Sequence, residues 1–363
     1  MYLKKFRNIF FFGSIVKVIE IMYFFLKHRY EMIKTQLHLS SNWKTISEVK
    51  IPIQNIIELT PPITEYYIYN PTLVNFNGEL NFYARISNRS FIPLADRQGR
   101  SLQRSTVDKT KDGICSFKVS DNFDLINFNI MLDPRPTPCF QDPKALIFND
   151  KIFLFGNYLI KEPYGSDRSS IIQTAYFNLD SMEIHRLKNV SNKNIEKNWI
   201  PFSLKNRILT LVYKSKPFTI MKYNLDLDSA VFSTQNYNLV EFDYHGGSQF
   251  IELNEQLFAR IVRFKHRLPK LGLINLSYVM LHSQNLEVTY VSRPFIFRKF
   301  GLEICNGLTL KDGRIFFAWG EDDIRMYTGS MAVDDFLKWV YSSKNSKWSR
   351  INTLSRKIWS EST

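Results

Sequence analysis

Cysteine is scarce in this chain: 363 residues hold only Cys115, Cys139 and Cys305, an odd and widely spaced set. That excludes a disulfide framework and a cysteine-bound zinc centre, and it fits a reducing, cytoplasmic compartment. No cluster of His, Cys, Asp or Glu has metal-ligand spacing, so no metal is expected. Zinc-finger spacing, an RNP-like stretch and a Gly-rich phosphate loop are missing as well. The net charge of +14 therefore has no nucleic-acid motif to go with it, and no nucleic-acid partner is expected. A clean long apolar run is also lacking, because the stretch from Ile9 to Leu26 is interrupted by Lys17 and Glu20. It is short for a membrane span, and the residues that follow it, LKHRYEM, offer no small-residue cleavage site.

What the chain has in quantity is aromatic and apolar surface. Thirty Phe, 18 Tyr and a hydrophobic content of 44% suit buried sheet faces and exclude a disordered chain. The charge is concentrated at the ends. Residues 1–50 carry nine Lys and Arg against three Glu, and residues 341–363 carry five against one, so ten of the fourteen excess charges are terminal. Basic ends flanking apolar residues suit peripheral contact with an anionic membrane. Residues 1–50 accordingly read as a basic amphipathic helical extension, packed on the body or lying at the inner membrane face, with a signal anchor as the alternative. Residues 341–363 read as a basic tail, and Met331 to Val340 has helical spacing that fits a short C-terminal helix under the last sheet.

The body, 51–340, repeats one pattern five times: a polar turn between two short apolar runs. The runs are NPTLVNFNGELNFYAR (70–85), DPKALIFNDKIFLFGNY (142–158), IPFSLKNRILTLVY (200–213), GSQFIELNEQLFARIV (247–262) and NGLTLKDGRIFFAWG (306–320). The turn pairs read as Asn77-Gly78, Asn149-Asp150, Lys205-Asn206, Asn254-Glu255 and Asp312-Gly313, rich in residues that tolerate positive φ in two-residue hairpin loops. They recur about every 50 to 70 residues, room for one four-stranded sheet each, which predicts an all-β, five-bladed propeller.

In each hairpin the start of the first strand and the end of the second lie together, opposite the turn. That end carries Asn70, Asp142, Lys197, Asn198, His245, Glu303 and Asn306 before the first strands, and Arg85, Tyr158, Tyr213, Arg263 and Asp323 at or beyond the ends of the second. Radial repetition would gather them at one mouth, a polar candidate ligand site. Asp142 precedes Pro143, whose ring restricts it to extended backbone and aims its carboxylate out of the ladder. Arg85 as a tie between blades, Trp199 as core, His245 as the neighbour of a bulge and Glu303 or Asp323 as acceptors of backbone amides are the structural readings beside the chemical ones.

Read together and in order, NPTLVNFNGELNFYAR, QDPKALIFNDKIFLFGNY, EKNWIPF (196–202), HGGSQF (245–250), SYVMLH (277–282) and RPFIF…GLEICNGLTLKDGRIFFAWGEDD (293–323) resemble the five-bladed propellers of glycoside hydrolase family 130. That group includes β-mannoside phosphorylases and relatives that accompany glycosyltransferases. The resemblance implies an inverting single displacement on an oligosaccharide or glycan, with mannose as the sugar and inorganic phosphate as a candidate co-substrate rather than any cofactor. It places Asp142 as the acid of a Glu-Asp-Pro-Arg motif, here Gln141-Asp142-Pro143-Lys144. Lys cannot make the planar two-point contact of Arg. Met280-Leu281 stand where relatives carry His-Arg, which leaves Arg263 and His282 as displaced substitutes. Asn70, Arg85, Lys144, Lys197, Asn198, His245, Arg263, Glu303 and Asp323 are the expected substrate-binding residues. The alternative is a glycan-binding propeller without catalysis.

Overall fold

The first described strand of the chain belongs to its last sheet. In a computed structural model, β1 (Gln54–Leu59) pairs antiparallel with β22 (Arg325–Ala332), Gln54 opposite Ser330 and Leu59 opposite Met326. The structure describes residues 50–342 apart from 89–90, 96–100, 106–110, 121–124, 162–170, 189, 191–192, 238–239, 241–243, 269–271 and 300. The amphipathic extension expected over 1–50 and the basic tail over 341–363 lie almost wholly outside the described residues. No described helix is long and apolar enough to cross a membrane.

Five four-stranded antiparallel sheets make the ring. The first blade is β2 (Tyr67–Phe76), β3 (Glu79–Ser87), β6 (Asp112–Val119) and β7 (Leu125–Arg135), with a hairpin of β4 (Phe91–Ala95) and β5 (Ser101–Ser105) inserted after β3. The second is β8 (Cys139–Phe148), β9 (Lys151–Lys161), β10 (Ile171–Asn178) and β11 (Glu183–Arg186). The third is β12 (Ile200–Lys205), β13 (Ile208–Ser215), β14 (Phe218–Asn224) and β15 (Ser229–Gln235). The fourth is β16 (Ile251–Asn254), β17 (Leu257–Leu268), β18 (Gly272–Ser283) and β19 (Val288–Val291). The fifth is β20 (Glu303–Lys311), β21 (Arg314–Glu321), β22 and β1. First strands of neighbouring blades meet around the axis at four of the five junctions, β20 reaching β2 to close the circle. The protein is thus an all-β, five-bladed propeller, and its last sheet is completed by a strand from the other end of the body.

The turn pairs fall where the sequence suggests in three blades and shift by one residue in the other two. Asn77-Gly78, Asn149-Asp150 and Asp312-Gly313 all have positive φ at both positions, the conformation that matches the twist of the flanking strands. In the third blade the pair is Asn206-Arg207 rather than Lys205-Asn206. In the fourth, Glu255-Gln256 replaces Asn254-Glu255, because Asn254 stays in the strand and its Oδ1 accepts the Gln256 amide at 3.0 Å. A side chain there does what left-handed backbone does elsewhere.

The core is a set of wedges between blades. Leu59, Ile68, Phe82, Phe117 and Met326 fill the seam of the fifth and first blades. Val74, Ile114, Phe140, Leu154 and Phe177 fill the next, and Phe155, Trp199, Leu209, Leu211 and Met221 the one after. The helix α1 (Val333–Tyr341) buries Phe336, Leu337, Trp339 and Val340 against the last blade, with Met331 ahead of it in β22. On the axis, buried Gln249 reaches across to two other blades. Its Nε2 donates to the carbonyls of Leu73 and Leu308, both at 2.6 Å, and its Oε1 accepts from Thr72 Oγ1 at 3.1 Å.

Candidate functional site

Asn70 and Asp142 occupy equivalent places on the first two blades, each before a proline and each at a break in register. Tyr69 pairs with Arg85 and Thr72 with Tyr83, while Gln141 pairs with Asn157 and Lys144 with Phe155, so the residues between are bulged. The extended backbone expected for Asp142 is not what forms: φ is 52° at both Asn70 and Asp142. Asn and Asp tolerate left-handed backbone better than other side chains, and a bulge supplies the turn that uses it. Both residues therefore lie inside β2 and β8 rather than ahead of them. Asn198 repeats the conformation before β12, with φ of 65°. On the fourth blade Gly246 and Gly247 form the bulge, where a Cβ on Gly247 would lie 1.9 Å from the Ile261 carbonyl oxygen.

The bulges gather six of the expected residues. Asn70 Nδ2 donates to Asp142 Oδ1 at 3.0 Å and to Asp323 Oδ1 at 3.4 Å, one amide joining carboxylates from two other blades. Asn306 Nδ2 donates to the Asn70 carbonyl at 3.3 Å and steadies that backbone. Arg85 forms a two-point pair with buried Asp112, at 2.9 Å from both Nε and Nη2, and extends Nη1 to Asp142 Oδ1 at 3.4 Å. Its guanidinium also lies over the Tyr69 ring, 5.1 Å from the centroid. Asn157 Nδ2 approaches Asp142 Oδ2 at 3.4 Å, and Asn157 Oδ1 accepts the Asn198 amide at 3.1 Å. Lys144 is buried, 3.5 Å from the Asp142 carbonyl oxygen. Arg263 brings Nε and Nη1 into burial with no hydrogen bond among the described residues.

The electrostatics separate the two carboxylates. Burial alone would raise the pKa of Asp142, but Arg85, Asn70, Lys144 and Arg263 together outweigh it and hold the carboxyl below its usual range. Asp142 thus stabilises the fold above the ordinary carboxylate pKa, and that contribution is lost as pH falls through its lower folded value. Asp323 is raised, by burial first and by the charge of Asp142, against the pull of Arg85. Burial lowers Lys144 to about 8 despite Asp142. Burial also lowers Arg263, against the pull of Asp142 and Asp323. Two like charges bridged by one amide, with their proton affinities pushed apart, form an acid–base pair in outline.

Lys197, Asn198 and His245 lie beside this cluster, on a cavity of about 220 Å³ between the third and fourth blades. The His245 amide donates to the Arg263 carbonyl at 2.8 Å, which ties the two groups together. Trp199 is only 3% exposed and belongs to the core wedge, yet it also forms part of the cavity wall. Glu303 is used otherwise. Its two oxygens accept the amides of Phe297, Arg298 and Lys299 at 2.7, 2.7 and 3.1 Å, and burial raises it to about 7 in spite of them. Replacing Glu303 with alanine is expected to cost about 2–3 kcal/mol by orphaning buried donors. The loss would be read as a lower Tm with ligand affinity at the mouth unchanged.

Asp112 and Asn157 escaped the sequence reading although they hold the site's two charged ends. Asn157 follows Gly156 at the end of the second hairpin and could have been found by its register with Gln141. Asp112 follows the inserted hairpin, where no local pattern marks it. Among the described residues no group of three His, Cys, Asp or Glu could hold a metal ion.

No known protein family matches the sequence, and no curated protein matches it. Solved structures match the fold. One is a β-1,2-mannobiose phosphorylase from Listeria innocua in complex with β-1,2-mannobiose, at 11% identity and a TM-score of 0.52, covering 80% of this chain and 100% of that one. A mannose phosphorylase from Leishmania mexicana in complex with a phosphate ion matches at 12% and 0.53, over 82% and 94%. A GDP-Man-dependent mannosyltransferase from the same organism matches at 11% and 0.55, over 85% and 96%. At such identities the likeness is one of fold.

Proposed function

We propose that the mouth is a carbohydrate site at which a glycosyl unit, with mannose the first sugar to test, is transferred in a single inverting displacement. The observation that carries this reading is the Asp142 carboxylate, turned by a left-handed bulge into a mouth it shares with a second carboxylate and two buried cations. The sugars named for the matching structures, mannobiose, mannose and GDP-mannose, support the substrate class.

In the reaction the bond from the anomeric carbon to the bridging oxygen breaks with its electron pair on oxygen. That oxygen takes a proton from Asp142, directly or through a sugar hydroxyl, while an acceptor oxygen bonds the anomeric carbon from the opposite face. Phosphate is the acceptor that Lys144 and Arg263 would suit. Asp142 is ionised while the site is empty. A bound anion would offset those two cations and raise its proton affinity when a proton is needed.

The second reading, a glycan-binding propeller without turnover, draws on Gln141. Its Nε2 donates to Asp112 Oδ2 at 2.6 Å, so this position anchors the ion pair and supplies no further carboxylate. A panel of mannosides assayed with phosphate, with water alone and, in the synthetic direction, with nucleotide sugars separates the two. Phosphate-dependent turnover is expected, with phosphate affinity falling as pH rises through about 8 because Lys144 then loses its proton. Sugar binding without turnover under any condition would leave the binding reading.

A further inference from the structure

Arg260 on β17 is 1% exposed and has no ion pair among the described residues. Its Nε donates to His282 Nε2 at 3.1 Å, and Nη2 lies 3.3 Å from the Met280 sulfur. The rings of Phe250 and Phe218 flank it at 5.3 and 6.0 Å. His282 must be neutral to accept that bond, which puts its proton on Nδ1, 3.2 Å from the Leu286 carbonyl. Burial and the neighbouring guanidinium agree, holding the imidazole well below its usual pKa. Burial lowers Arg260 itself to about 9. A guanidinium enclosed by apolar rings, a thioether and a neutral imidazole is costly unless something outside the chain neutralises it.

That something has a place to sit. Arg260 lines the cavity between the third and fourth blades, together with Lys193, Lys197 and Lys214, against one carboxylate, Glu196. Glu196 is itself engaged, accepting the Tyr213 hydroxyl at 2.8 Å. The half-buried Tyr213 ring stands on the wall, packed on Trp199 with centroids 5.3 Å apart and with the Lys193 ammonium 5.7 Å from its own centroid. The volume of about 220 Å³ is below that of pockets for drug-sized ligands and suits one ring.

We propose that this cavity is a subsite for a carboxylate-bearing sugar, a uronate-type pyranose, with Arg260 meeting the carboxylate and His282 as its positioning residue. A guanidinium presents parallel N–H groups that match the two oxygens of a planar carboxylate better than a point charge would. Asn198 joins the cavity to Asn157 and so to Asp142, which places the acidic ring next to the bond acted on. The glycan setting rests on the function proposed above, but the recognition of the acid does not depend on turnover.

Titration calorimetry with glucuronate, glucose and inorganic phosphate tests it. Wild type should bind glucuronate about 10- to 100-fold more tightly than glucose, the range of a charge-assisted hydrogen bond. Arg260→Met should erase that preference, keep the affinity for glucose and melt no lower than wild type, since an apolar chain replaces an uncompensated charge. Lys214→Ala, at an exposed position, should weaken the preference by about 2- to 5-fold without touching packing. Asp142→Asn should not weaken it, since removing a neighbouring negative charge favours an anion, so a failed turnover assay and a failed acid preference are told apart. Equal affinity for glucuronate and glucose, or a preference unchanged in Arg260→Met, would overturn the proposal. Arg260-dependent binding of phosphate alone would overturn it too.

Discussion

Asp142→Asn should lower turnover by about 100- to 10,000-fold while leaving sugar affinity close to wild type, the range expected when a positioned proton donor is lost, and should lower Tm at neutral pH because the stabilising carboxylate charge is gone. Asparagine keeps the left-handed bulge, because it tolerates φ near 52° as aspartate does, and Asn70 itself adopts that conformation in the neighbouring blade. The amide can still take the bond from Asn70 Nδ2. What it cannot do is carry a transferable proton or balance Arg85, Lys144 and Arg263. An unfavourable excess of positive charge would then draw anions more strongly, so phosphate affinity should rise as turnover collapses. Asp142→Ala, by contrast, would strain the bulge and confuse stability with chemistry. Stopped-assay turnover and calorimetry on the same preparation check the split between rate and affinity.

Methionine at position 85 should destabilise the protein by about 3–5 kcal/mol, the cost of leaving one partner of a buried ion pair alone. The Asp112 side chain is fully buried and meets Arg85 at two points. Without the guanidinium it retains Gln141 Nε2 at 2.6 Å and a weak contact from Cys139 at 3.7 Å. Adding Asp112→Leu should recover part of the loss, giving a coupling that denaturant titration of the two single variants and the double variant would measure. The same substitution removes the leading cation beside Asp142, so its carboxyl should move up. Arg85 therefore links blade stability to the proton affinity of the site, which is more than the tie between blades that its position suggested.

The ring was legible because two-residue turns leave a chemical mark. Asn-Gly, Asn-Asp and Asp-Gly pairs supply two positive φ values in a row, and few other pairs do so cheaply. Where the chain solved the turn with a side chain, as Asn254 does for Gln256, the pattern pointed one residue off. Circular closure was hidden for another reason. The strand Gln54–Leu59 has no distinctive pattern, and its partner lies near residue 330, so only geometry reveals that it completes the last blade. At the site, Asn70 and Asp142 could be picked out by the prolines after them, although proline's restriction pointed to extended backbone and the bulge imposed the opposite hand. Glu303 looked like any acid at the mouth end until three amides were found on it. Arg260 gave no sign at all, since a strand sequence ARIVR does not tell which arginine meets acids and which is enclosed by rings.

The most direct measurement is a crystal structure of the protein soaked with mannose and phosphate. The sugar should lie within hydrogen-bond distance of the Asp142 carboxylate, with a phosphate oxygen on the buried Nε or Nη1 of Arg263. A sugar bound elsewhere on the ring, with Asp142 untouched and Arg263 Nε and Nη1 still without hydrogen bonds, would contradict that placement.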